Sequence, residues 1–346
     1  MPSPSVAIVG ASGYSGEELL RLLTHHPIAG LVCLTSRGEV GRKVADVYPK
    51  LTGTRYGSLR FSRSDPEFVL ESGASIAFLA LPHGLAHEYA LPLLEAGIRV
   101  IDLSADFRLK DALKYEEFYG HSHPAPALLR KSVYGMPEIY RELIRDAQLV
   151  ASPGCYPTSI ILPLMPLLKN GLLEANSIVV SSMSGVSGAG RKADIVYSFV
   201  ECNESVRAYG VPKHRHLSEI EQELSVAAGY EVRISFSPHL IPVSRGIYTT
   251  IHAKLCGGVT LDLINASMVS SYGGERFVRM LGSSALPDIK NVTMTNFLDI
   301  AWCKDSRMES IVVMSAEDNL VKGAAGQAIQ CLNLMNGWDE AAGLCY

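Results

Sequence analysis

Over the first 150 residues, short apolar runs alternate with helical patterns. The runs at 6–9, 31–35, 76–81, 100–103 and 148–151 show no polar alternation. That suits parallel strands covered on both faces. Helical patterns at 17–23, 65–71 and 85–95 lie between them. This rhythm predicts a doubly wound sheet. Past Pro157 the pattern changes. Residues 159–168 read as an apolar helix, 178–183 as a strand leading into a Gly/Ser loop, and 217–228 as a helix. Between 247 and 255, Ile247, Thr249, Ile251, Ala253 and Leu255 fall on one face. Tyr248, Thr250, His252 and Lys254 fall on the other. That is a half-buried strand of an antiparallel or mixed sheet. Residues 297–303 and 310–315 read alike, and an apolar helix over 323–335 closes the chain. The second half is therefore expected to be α+β.

The first strand runs into Gly10, Gly13 and Gly16, a glycine-rich turn opening a helix. Such a turn lets helix N–H groups meet a phosphate. Ser12, Tyr14 and Ser15 add hydroxyl or backbone donors. The context is Rossmann-like; the plainer alternative is a tight turn that serves packing alone. The second strand ends in Ser36-Arg37, with Arg42 and Lys43 close behind. A hydroxyl and a guanidinium suit a ribose 2′-phosphate, so the expected cofactor is NADP(H) rather than NAD(H). Glu39 is the one nearby carboxylate and reads as a solvated loop residue.

Cys155 stands in Ser152-Pro153-Gly154-Cys155-Tyr156-Pro157-Thr158, between an apolar strand and an apolar helix. A helix N-terminus favours thiolate, the nucleophilic form. Pro157 suits a first helical position, and Gly154 permits an unusual turn. A small buried thiol is the competing reading. Thiolate chemistry on a carbonyl needs a proton donor and acceptor near neutrality. Of ten histidines, His25 and His26 read as caps of the first helix, and His121 and His123 as surface residues of a Pro-rich loop. His214 and His216 precede a helix, and Glu219 lies close enough to fix a His216 tautomer. His216 is favoured slightly over His214; a basic surface loop is the alternative.

Arg108 follows the strand at 100–103, at the edge where ligands of such sheets bind, and Arg245 precedes the alternating strand. Both are candidate anchors for an anionic substrate. The loop Ser184-Gly185-Val186-Ser187-Gly188-Ala189-Gly190-Arg191-Lys192 is a second glycine-rich segment read as lying before a helix. It would approach a phosphate or the nicotinamide end of the cofactor, or act as a hinge.

The 346 residues accommodate two domains, and a formal charge of −4 gives no sign of a nucleic-acid partner. Seven cysteines without a CxxC pair point to reduced thiols in a cytoplasmic setting, and to no metal site. No run is long enough to span a membrane, and the N-terminus shows no signal peptide pattern, although a removed transit peptide stays open.

Several motifs occurring in order resemble the N-acetyl-gamma-glutamyl-phosphate reductase family, within the aspartate-semialdehyde dehydrogenase superfamily. They are Gly10-Ala-Ser-Gly-Tyr-Ser-Gly, Thr35-Ser-Arg-Gly, Asp102-Leu-Ser-Ala-Asp-Phe-Arg, Tyr134-Gly-Met-Pro-Glu, Ser152-Pro-Gly-Cys-Tyr-Pro-Thr, Ser184-Gly-Val-Ser-Gly-Ala-Gly-Arg and His214-Arg-His. The resemblance implies an α/β fold: an NADP-binding Rossmann domain over 1–151 plus 320–346, and a catalytic and oligomerisation domain with a mixed sheet over 152–319. It implies Cys155 as nucleophile, acid/base work by His214 or His216, and cofactor contacts at Gly10, Ser12–Gly16, Ser36, Arg37, Ser187, Gly188 and Asn319. It also implies a homodimer or homotetramer acting on an acyl phosphate. The expected reaction is NADPH-dependent conversion of N-acetylglutamyl 5-phosphate to its semialdehyde through a cysteine thioester. An aminoadipyl or aspartyl phosphate is the rival substrate. An NADP(H)-sensing protein with a redox-responsive Cys155 is the non-enzymatic rival.

Overall fold

The computed structural model describes residues 4–344. Residues 1–3 and 345–346, the outer ends of the range expected for the first domain, lie outside the described residues. The chain divides into two compact units, one ending at Pro153 and resuming at Ala324, the other running Gly154–Gly323.

The first unit holds six strands: β1 (Ser5–Val9), β2 (Gly30–Leu34), β3 (Ile76–Leu79), β4 (Arg99–Asp102), β5 (Val133–Tyr134) and β6 (Leu149–Ala151). They form one sheet in the order β2-β1-β3-β4-β6-β5, with every pairing parallel. Ala7, Val9, Ala77, Leu79 and Val100 pack with Tyr89 and Leu93 of the helix Ala86–Glu95. Cover on both faces explains the unbroken apolar runs. The helix Gly326–Met335 belongs here, and all its residues are buried. The guanidinium of Arg99 donates to Met335 O at 2.5 Å and Asn336 Oδ1 at 2.7 Å. Gln330 Nε2 donates to Glu138 and Glu340. Three helices (Ala112–Tyr119, Pro126–Lys131 and Pro137–Asp146) fill the stretch that periodicity left unassigned. They bury His123, which the sequence placed at the surface. Its Nε2 meets Asp106 O at 2.9 Å, and its Nδ1 accepts the Ala125 N–H.

The second unit holds β7 (Val179–Ser184), β8 (Arg207–Ala208), β9 (Ser235–Leu240), β10 (Ile247–Lys254), β11 (Val278–Gly282), β12 (Leu298–Asp305) and β13 (Ser310–Glu317). The sheet is mixed, in the order β11-β12-β13-β10-β7-β9-β8. Strand β10 lies antiparallel to both β7 and β13. Its buried face carries Ile247, Thr249, Ile251 and Ala253, as the alternation requires. The helix Cys155–Lys169 is buried from Tyr156 to Leu168. Hydroxyls fasten it to the sheet: Thr249 Oγ1 lies 2.8 Å from both Ser159 Oγ and Ser182 Oγ, and Ser315 Oγ donates to Ser159 O at 2.6 Å. The glycine-rich loop after β7 does not open a long helix. It passes through short 3-10 turns at Val186–Ala189 and Ile195–Tyr197 and a single turn at Phe199–Cys202. The closing helix starts late, because Val321–Ala325 is a π-helical turn.

Among the described residues no helix is long and apolar enough to cross a membrane. No group of three or more His, Cys, Asp or Glu side chains among them is placed to hold a metal ion.

Candidate active site

Cys155 is the first residue of its helix, behind an extended Gly154 (φ −69°, ψ 158°). Pro157 is the third helical residue rather than the first. The first ladder bond runs from Thr158 N–H to Gly154 O at 3.3 Å, so the N–H groups of Cys155 and Tyr156 precede the ladder. The positive end of the helix is therefore directed at the thiol, which favours the thiolate. Glu219, expected beside the His216 ring, is buried, and its Oε1 accepts the Gly154 N–H at 2.8 Å. This charge-assisted bond fixes the turn in front of Cys155.

His214 and His216 open the helix His216–Ala228. Nδ1 of His214 accepts the His216 backbone N–H at 3.1 Å, which leaves Nε2 to carry the proton of the neutral ring. The His214 ring lies 4.9 Å from His216, 5.6 Å from Tyr156 and 5.7 Å from Tyr209, centre to centre. Burial, with the Arg215 charge second, pushes its pKa down to about 4; His214 is neutral at pH 7. The Tyr156 and Tyr209 hydroxyls meet at 2.7 Å. Burial pushes Tyr209 up to about 12 and raises Tyr156 as well, so both are neutral phenols.

Cys155, His214 and His216 line one cavity of about 400 Å³, together with Arg207, Tyr209 and Arg215. Gly188 also borders it, while Ser187 Oγ accepts from Asn319 Nδ2 at 3.0 Å. Asn319 Oδ1 accepts the Gly246 N–H at 2.8 Å, so this residue braces the loop against the start of β10. Arg245 pairs with the buried Asp318 at 3.5 Å. Sequence reasoning gave no role to Tyr156, Arg207, Tyr209 or Arg215. Arg207, Tyr209 and Arg215 stand in a stretch without periodicity, marked only by the nearby histidines, and Tyr156 was marked only by its neighbour Cys155.

In the first unit, Gly10 has φ +83°, and a Cβ there would overlap Ala80 O. A Cβ on Gly16 would meet Ala11 Cα at 2.6 Å, whereas the space before Gly13 is nearly open. The helix Tyr14–Thr24 makes its first ladder bond from Glu17 N–H to Gly13 O. A tight turn backed by protein and open in front at Gly13 fits a dinucleotide phosphate. Ser36 is buried, with Oγ 2.8 Å from Ser12 Oγ and accepting the N–H groups of Gly38 and Glu39. Arg37 is exposed, and Glu39 is paired with Arg42 at 2.5 Å. Arg108 is buried and donates to Leu103 O at 3.0 Å. Nearby Asp102 is pushed up to about 7 by burial, with the charge of Asp106 adding to it.

Two family models match: the semialdehyde dehydrogenase NAD binding domain over residues 5–147 and the semialdehyde dehydrogenase dimerisation domain over 155–319. The chain is 55% identical to the N-acetyl-gamma-glutamyl-phosphate reductase of Akkermansia muciniphila, covering 99% of both chains. It is 48% identical to that of Moorella thermoacetica, over 97% of this chain and 96% of the relative. Among solved structures, aspartate semialdehyde dehydrogenase II of Vibrio cholerae, complexed with ASA, is similar in fold. Its TM-score is 0.71 at 18% identity, covering 97% of this chain and 99% of that one. The NADP-bound enzyme of Candida albicans gives 0.72 at 15% identity, covering 96% and 98%. The chain belongs to the N-acetyl-gamma-glutamyl-phosphate reductase family of semialdehyde dehydrogenases.

Proposed function

We propose that this enzyme reduces N-acetylglutamyl 5-phosphate to N-acetylglutamate 5-semialdehyde and phosphate, in arginine biosynthesis, with NADPH as reductant. The observation that carries this reading is the shared cavity of a helix-start thiol and His216. The Cys155 thiolate attacks the acyl carbon. The resulting oxyanion faces the backbone N–H groups that precede the helix ladder. Phosphate leaves and a thioester remains, so one hard step becomes two easier ones. The chemistry supplied by bound NADPH is hydride delivery to the thioester carbonyl. The Cys155 thiohemiacetal then breaks at its C–S bond, freeing the thiolate and the aldehyde as its hydroxyl proton leaves. His216 handles the proton; His214, neutral and fixed in tautomer, orients its neighbour. Arg207 and Arg215 place positive charge on the cavity wall, and Arg108 and Arg245 are the further anchors for the acidic substrate.

In this reading the first unit holds NADP(H) through Gly10, Ser12–Gly16, Ser36 and Arg37, with Ser187, Gly188 and Asn319 serving its nicotinamide half. The second unit carries the chemistry and the assembly. A homodimer or homotetramer is supported by the outer face of the mixed sheet, where Val179 and Met183 of β7 are exposed beside His252 and Tyr248 of β10. A cytoplasmic setting is supported by the six cysteines that are free among the described residues.

The test is phosphate-dependent NADP reduction with N-acetylglutamate semialdehyde, aminoadipate semialdehyde and aspartate semialdehyde in parallel. Preference for the first, abolished by Cys155→Ser, is expected. A better rate with either rival, or near-normal turnover by the variant, would overturn the reading.

A further inference from the structure

Two phenols and two guanidiniums share the cavity with the thiol, and their chemistry sorts the groups of a bound substrate. The Tyr156 and Tyr209 hydroxyls lie 2.7 Å apart. Tyr156 is 2% exposed and Tyr209 37%. A buried O–H without an acceptor is costly, so the enclosed Tyr156 hydroxyl donates and the Tyr209 oxygen accepts. The Tyr209 proton is then left for the cavity that this residue lines. Tyr209 follows β8, and its backbone N–H donates to Pro238 O at 3.0 Å. Its ring stands 5.7 Å from that of His214. A neutral donor of fixed position is thus presented beside the histidine pair.

The rest of the wall narrows what that donor can meet. Among the described residues that line the cavity, none is Asp or Glu, and Arg207 and Arg215 are its permanent charges. A free ammonium on the substrate would face two guanidiniums and no counter-charge. An acylated nitrogen carries no charge, and its carbonyl is a neutral acceptor. Guanidiniums suit carboxylate and phosphate; a neutral phenol suits the amide. Val196, Leu240 and Ala189 supply apolar surface on the same wall, where an acyl methyl can lie. The other neutral acceptor of the substrate, the reacting carbonyl, is already faced by the N–H groups at the helix start.

We propose that Tyr209 determines specificity, its O–H donating to the amide carbonyl of an N-acylated substrate while Tyr156 holds the phenol in place. A substrate without that carbonyl leaves the donor unpaired, and an unpaired polar group in a site built to bond it is what rejects the analogue. This inference rests on the substrate proposed above.

The experiment is phosphate-dependent NADP reduction by the full-length chain with two aldehydes. One is N-acetylglutamate 5-semialdehyde. The other is 5-oxopentanoate, the same skeleton without its acetamido group. The readout is the ratio of their kcat/KM values. Tyr209→Phe removes one oxygen and is expected to lower that ratio about tenfold, chiefly through KM for the acetylated aldehyde. Tyr156→Phe keeps the phenol at 209 but takes away its hydroxyl partner, and is expected to lower the ratio about threefold. It decides the matter should Tyr209→Phe fail to fold. A merely structural defect lowers both rates and leaves the ratio where it was. An unchanged ratio therefore overturns the proposal, whether both rates fall together or neither does. The substrate reading fails separately, if the wild-type chain prefers aspartate or aminoadipate semialdehyde to the N-acetylated aldehyde.

Discussion

Gly323→Ala sets two physical effects against each other. Gly323 is not among the residues with positive φ, so alanine meets no backbone strain there. In an exposed helical turn the change would stabilise the fold by up to about 1 kcal/mol. Here the new Cβ would lie 2.8 Å from Cys155 Cβ and 3.2 Å from Cys155 Cα. Neither is the end of a flexible side chain, so the helix start or the π turn must move. Overpacking of this kind costs about 1–3 kcal/mol. The clash wins, for a net loss of roughly 1–2 kcal/mol. For a unit of this size that lowers Tm by roughly 2–8 °C. The displaced atoms include those that carry the thiol, so turnover falls further than stability suggests: a shift of about 1 Å at a reacting group costs up to about 100-fold. Calorimetry and turnover at saturating substrates read both quantities. A variant as stable and as active as wild type would refute the reasoning.

Arg37→Ala is expected to raise the KM for NADPH about tenfold, the low end for an exposed charged contact, while kcat and the KM for NADH stay near wild type. Steady-state kinetics with both nucleotides checks this, and an unchanged KM for NADPH rejects the 2′-phosphate assignment. Thr249→Val keeps the shape but strips Ser159 and Ser182 of a shared hydroxyl partner; chemical denaturation should show a loss of about 1–3 kcal/mol. His214 gives the fold a pH dependence. Burial lowers its pKa from 6.5 to about 4, so the unfolded chain binds the proton more readily. Stability contributed by the neutral ring is complete above pH 6.5 and drains away as pH falls towards 4. The loss is at most about 3 kcal/mol across that window. His214→Asn should flatten this slope in pH-dependent unfolding, and an unaltered slope would contradict it.

What could be read from the sequence follows the physics of each element. Strand β10 announced itself because one face is buried and the other is not. Strands β1, β3 and β4 did so because both faces are covered. Strand β5 is two residues long and has no period to detect. In β9, Pro238 mimics a loop by lacking an N–H, although the strand lies between β7 and β8. At the site, Cys155 and the His214/His216 pair were visible as residue types beside helix starts. Glu219 was visible too, but its Gly154 partner lies 65 residues away in the chain. Tyr209 and Arg207 carried no local signal, because only the sheet brings them near the thiol helix.

The inserted character of the second unit bears on how the chain is made. Its first and last residues, Gly154 and Gly323, lie at adjoining points, since Gly323 packs on Cys155. A unit whose ends meet can close on itself with little loop-closure entropy. The first unit has no such independence. Its fully buried helix Gly326–Met335 follows the whole second unit in the chain. The six strands of the first unit are made before this helix, and until it follows they wait with apolar surface bare. A fragment ending at Pro153 would keep that surface exposed for good, and aggregation, not folding, is its expected fate.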